Sequence, residues 1–153
     1  MKELIRTKDQ IEKAFYGGAW HGPSVMETLE GITSAEALQK PVNGAHSIWE
    51  IVLHIDVWHK TVRERLLGFP SEPVGEDDWQ PVKDKSPKAW EQSVENLKRS
   101  LTELLDTLSG FDESKLLETT VGKDYSNYFM LHGLVQHDVY HAGQITLLKK
   151  SLK

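Results

Sequence analysis

Residues 130–150 read MLHGLVQHDVYHAGQITLLKK, and the spacing of their apolar side chains decides the class of fold. Apolar residues recur three and four positions apart instead of alternating, which predicts an amphipathic helix over about 127–150. At about 100° per residue, Met130, Leu134, Ile145 and Leu148 share one face. His137 and His141 fall in the middle of that face, one turn apart, with Gln144 at its edge. Each imidazole carries two polar nitrogens, and burying them unpaired costs on the order of 1–3 kcal/mol apiece. Something polar must therefore meet them. Side chains at i and i+4 have Cβ atoms about 5–6 Å apart. That spacing lets two imidazoles reach one ion at roughly 2.0–2.1 Å per nitrogen. Backbone carbonyls, carboxylates or water are the alternative partners for such a pair.

Working outward, three more long segments carry the same period. SIWEIVLHIDVWHKTVRERLL at 47–67 follows the turn residues Asn43-Gly44, with Ser47 as N-cap and Gly68 just beyond its end. Ser86-Pro87 opens another, in which Trp90, Val94, Leu97, Leu101, Leu104, Leu105 and Leu108 follow at helical spacing before Gly110. The N-terminal segment 2–16 sets Leu4, Ile11 and Phe15 on one stripe. Gly17-Gly18 interrupts it, and Pro23 restarts a short helix through Val25, Met26 and Leu29. Strand-like alternation is scarce. The expectation is an all-α single domain over 1–153. It is a four-helix bundle with an extra short helix near the N-terminus and a long connection between the second and third long helices. That connection, GFPSEPVGEDDWQPVKDK at 68–85, is rich in Pro, Gly and charge. Its length suits a functional lid or a spacer, and Trp79 within it favours a lid that packs on something.

Composition narrows the chemistry. The chain has 153 residues, 39% hydrophobic and 27% charged, with no cysteine and seven histidines. Disulfides, thiolate metal sites and cysteine nucleophiles are excluded, so a bound metal must sit on His, Asp or Glu. A net charge of −5 argues against nucleic acid as a partner. The basic cluster Lys149, Lys150 and Lys153 reads as cations offsetting the negative end of a helix dipole. No run reaches the 18 or so apolar residues of a membrane span. MKELIRTKDQIEK offers no apolar stretch for a signal sequence, so a cytoplasmic location is expected.

His137-Asp138-Val139-Tyr140-His141 looks like the zinc-protease pattern H-E-x-x-H with Asp for Glu. Asp138 is one methylene short for that role. The residues after His141 (AGQITLLKKSLK) contain no His, Asp or Glu to serve as the downstream third ligand common in those proteases. A third ligand must come from earlier in the chain. Segment 47–67 offers His54 and His59. Its core stripe is Ile48, Val52, Ile55, Val62 and Leu66, which includes His59 and leaves His54 on the flank beside Trp58. The helical wheel alone chooses His59.

The sequence resembles the DinB-like (DinB/YfiT) superfamily of four-helix-bundle metalloproteins over most of its length. HDVYHAGQI at 137–145 matches that family's H-x-x-x-H-x-G-Q-I signature residue for residue, and SIWEIVLHIDVW at 47–58 resembles its helix-two motif. The resemblance implies one divalent ion, zinc or nickel, on His54, His137 and His141, and leaves His59 as a packed or hydrogen-bonded histidine. It places Gln144 and Tyr140 beside the ligands. Glu50, one turn before His54, reads first as an exposed carboxylate on the helix flank and second as a candidate to orient that imidazole. His21 is a loop histidine with a lesser claim to a pocket, and His46 and His132 lie off the site.

Three neutral imidazoles leave an open coordination position, as catalytic zinc sites do. The resemblance then implies a metal-dependent hydrolase or thiol S-transferase, with a small-molecule substrate or thiol as partner. The competing reading is a metal-loaded binding or stress-response module without catalysis. A homodimer is compatible with such a bundle, although no surface stripe marks an interface.

Overall fold

Three of the four long helices begin at a serine whose hydroxyl accepts from a backbone N–H of the first turn, and this fixes where those elements start. The computed structural model describes residues 2–152; Lys153 of the C-terminal basic cluster lies outside them. The described residues form six α-helices and no strand. They are α1 (Glu3–Tyr16), α2 (Val25–Leu29), α3 (Ser34–Ala37), α4 (Ile48–Leu66), α5 (Pro87–Ser109) and α6 (Asn127–Ser151). Short 3-10 turns occupy Gly75–Asp77 and Glu113–Leu117. Ser47, Ser86 and Ser126 cap α4, α5 and α6.

Glu50 completes a capping box at the start of α4. Ser47 Oγ accepts from the Glu50 backbone N–H, and Glu50 Oε2 accepts from the Ser47 N–H at 2.8 Å. Lys40 and His46 bind the same carboxylate. Glu50 therefore holds a helix start, which sets aside the lesser alternative that it orients His54. At the other end Gly68 takes a φ of 94°, a left-handed exit that favours glycine. Two smaller differences concern the N-terminal third. Pro23 stands before the cap of α2, not inside its first turn, because Ser24 and Glu27 form the capping box there. The single turn α3, capped by Thr33 and Glu36, carries too few apolar residues to show a period in sequence.

The four long helices pack in a ring. α4 lies against α5 and α6, and α1 closes the other side by touching both of those. Phe15, Ile55, Leu97, Leu101, Leu104, Leu131 and Ile145 fill the space between them, all fully buried. Tryptophans bury their rings only where the indole N–H finds an acceptor. Trp49 donates to Ser93 Oγ and Trp90 to the Ile32 carbonyl, each at 3.0 Å, which ties α4 and the α2–α3 segment to α5. No helix among the described residues is long and apolar enough to cross a membrane.

The buried face of α6 is rotated from the one its apolar pattern suggests. Leu131, Asp138, Ala142 and Ile145 lie at its centre, because α1, α2 and α4 all pack on this helix. His141 stays inside, but His137 moves to the edge and keeps 23% of its side chain exposed.

Candidate metal centre

α4 and α6 run side by side, and their contact brings His54, His137 and His141 together. One ring nitrogen of each lies within 4.8 Å of the others. His54 Nε2 and His137 Nε2 are 3.0 Å apart. The ring centroids are separated by 5.0 Å (His54–His137), 4.9 Å (His54–His141) and 4.4 Å (His137–His141).

The other ring nitrogens say which atoms face inward. His54 Nδ1 meets only acceptors, the Asp78 carbonyl at 3.1 Å and the Asp78 carboxylate at 3.0 Å. It must therefore donate, which leaves Nε2 with a bare lone pair. His141 Nδ1 donates to Gln144 Oε1 at 2.6 Å, leaving its Nε2 in the same state. Two nitrogens about 2.1 Å from one ion, at angles of about 90–110°, stand roughly 3.0–3.4 Å apart. The 3.0 Å separation of the His54 and His137 nitrogens fits that requirement. All-imidazole donors suit zinc and nickel alike. The three histidines can thus form a metal site, with Gln144 and Asp78 holding two of the rings as carbonyls and carboxylates do around metal-binding histidines.

The 68–85 connection supplies the cover. Trp79 stacks on His54 at 3.8 Å with an interplanar angle of 5°, and on His46 at 3.6 Å and 4°. Trp58 donates from Nε1 to Asp78 Oδ1 at 2.8 Å, anchoring the stretch that carries Trp79. His54, on the flank of the α4 wheel, is buried because this connection lies over it.

His59 is buried too, at 0% exposure, but it faces a different partner. Its Nε2 lies 3.0 and 3.2 Å from the two oxygens of Asp138, which is also 0% exposed. The two residues that sequence left without a role explain each other. Burial is the strongest single influence and works against the Asp138 charge, yet His59 and His137 together outweigh it and hold the carboxyl below its usual range. Asp138 Oδ1 also stands 3.6 Å from His137 Nδ1, beyond hydrogen-bond range. Tyr140 lies beside the cluster as expected, its ring edge-on to His141 at 5.1 Å while 64% exposed; His21 is exposed, and His132 packs on Tyr128 at 4.2 Å, away from the cluster.

Burial lowers the pKa of both His54 and His141, the latter to about 4, with His137 nearby adding to the effect. Both are therefore neutral at pH 7. In the unfolded chain a histidine protonates near about 6.5. Between that value and about 4 the unfolded state takes up a proton that folded His141 refuses, so stability falls as the pH falls through this window. For His141 alone the loss amounts to about 3 kcal/mol by pH 4. Denaturation of metal-free protein at pH 7, 5.5 and 4 should show the decline, and His141→Gln should make it shallower, leaving the part due to His54. Parallel declines in the two proteins would rule His141 out as its source.

The described residues are helical throughout their regular structure and bring three histidines together from two neighbouring helices. The model of the DinB superfamily matches residues 20–145, and the chain is a member of that superfamily. No curated protein and no solved structure gave a match.

Proposed function

We propose that this DinB protein binds one divalent ion, zinc or nickel, on His54, His137 and His141, and that it is a metal-dependent enzyme of the hydrolase or thiol S-transferase type. The observation that carries the reading is the convergence of ring nitrogens within 4.8 Å, with the outer nitrogens of His54 and His141 held by protein acceptors. A bound ion of this kind supplies Lewis acidity, lowering the pKa of a coordinated water toward about 7 or holding a thiol as thiolate. The chain's own residues do the rest. Asp78 and Gln144 keep the His54 and His141 lone pairs pointed inward, and Trp79 shields one side of the cluster from water. The ring of α1, α4, α5 and α6 serves as the family's four-helix bundle, and the expected setting is the cytoplasm.

A binding or stress-response module without catalysis is the second reading, favoured by one observation. The carboxylates nearest the cluster are already engaged, Asp138 with His59 and Asp78 with Trp58 and His54, so neither is free to move a proton. Elemental analysis of untagged protein beside His54→Ala tests the site: about one zinc or nickel per chain is expected, lost in the variant. A variant that retains the metal removes His54 from the site. Cobalt-loaded protein separates the readings, since a thiol that enters an open position changes the visible spectrum and an occluded ion stays unchanged.

A further inference from the structure

Beside His137 the surface opens into a cavity of about 230 Å³. Its walls are Trp58 and Val62 from α4 and Phe129, Met130, Leu134 and His137 from α6. Phe129 lines it while remaining 65% exposed, so the cavity reaches solvent. The other approaches to the histidines are covered: Trp79 lies on His54, and His141 is only 3% exposed. His137, at the edge of the buried face of α6, is the histidine that the cavity meets.

Polar groups at the cavity are turned away from it. Arg65 is 4% exposed and donates to the Ser71 carbonyl at 2.9 Å, to Tyr125 Oη at 3.0 Å and to Glu72 at 3.3 Å. Its guanidinium sits 5.5 Å from the Trp58 ring, which braces one wall. What faces an incoming molecule is therefore mainly aromatic and aliphatic surface. A ligand there gains by shedding water from apolar area, and little in this cavity rewards a charged or heavily hydroxylated group.

Size sets a second limit. An apolar cavity of about 150 Å³ holds benzene, whereas pockets that enclose whole drug-sized ligands run to about 300–1,000 Å³. The cavity beside His137 lies between them. We propose that it is a specificity pocket for one part of the substrate, an aromatic or branched-alkyl group about one ring in size, with the reacting group directed at His137. This inference rests on the metal site proposed above, and it assigns substrate class to Trp58, Phe129, Met130 and Leu134.

Gly133 offers a clean way to fill the pocket. It lines the cavity from within α6, a Cβ added there meets nothing within 4 Å, and leucine is a better helix former than glycine. The experiment compares two hydroxamates that share a zinc-chelating head, benzohydroxamate with a ring and acetohydroxamate without one, by calorimetry on zinc-loaded protein. Benzohydroxamate should bind at least about tenfold more tightly, as burial of a ring requires. In Gly133→Leu that preference should collapse to within about twofold while zinc content and acetohydroxamate affinity stay unchanged. Equal affinities in the parent protein, or a preference that survives Gly133→Leu, would overturn the pocket and leave the metal site standing. Failure to retain zinc at all would instead overturn the metal site, and the pocket's assignment with it.

Discussion

Replacing His59 with leucine is expected to destabilise the metal-free protein by about 3–5 kcal/mol, a large part of the roughly 5–15 kcal/mol available to a domain of this kind. The substitution leaves the Asp138 carboxylate fully buried with its hydrogen-bond partner removed. Asp138→Leu should cost less, about 1–3 kcal/mol, because it strands an imidazole that can remain neutral. Combining the two removes both polar groups and puts apolar side chains in their place, so the double variant should be more stable than His59→Leu alone. Urea denaturation of the four proteins gives the coupling energy directly. Costs below about 1 kcal/mol that simply add would show that the contact between α4 and α6 contributes little. The pair also bears on the proposed metal site, since Asp138 neighbours His137 in both sequence and space. His59→Leu should therefore weaken metal binding less than the loss of a ligand does, through displacement of His137.

How far the sequence could be read depended on where each residue's partner lay. α5 was legible end to end, because a serine cap, a first-turn proline and a leucine stripe are all local signals. His59 was legible as buried, since it shares the stripe of Val52, Ile55 and Val62. Its partner was not, because Asp138 lies 79 residues away and no period links the two. His54 posed the opposite problem. On the wheel it belongs to a flank, and it is buried only because Asp78 and Trp79 fold over it from a connection that has no periodicity to read. Similarity to the family motif, not the wheel, picked out His54 as the third histidine. Glu50 shows a signal present but passed over: Ser47-x-x-Glu50 is the capping-box pattern, which accounts for the carboxylate without reference to His54.

Zinc is expected to raise the melting temperature, and the effect should disappear with His54→Ala or His137→Ala. A ligand that binds only the folded chain stabilises it by about 2.7 kcal/mol at 100 times its dissociation constant. For a domain of about 150 residues, at roughly 2–4 °C per kcal/mol, that is a rise of about 5–10 °C. His132→Ala provides the control, because His132 packs on Tyr128 outside the cluster and its loss should leave the rise intact. Gln144→Ala is the more discriminating variant. It removes the acceptor that holds His141 Nδ1 but no proposed ligand, so it should weaken zinc binding about 10–100-fold without abolishing it. A graded series, with the parent protein and His132→Ala alike, Gln144→Ala intermediate and the two ligand variants unresponsive, is what a metal held on oriented imidazoles requires. If zinc shifted all five proteins equally, it would be binding elsewhere, and the three histidines would be a polar core cluster that needs no ion.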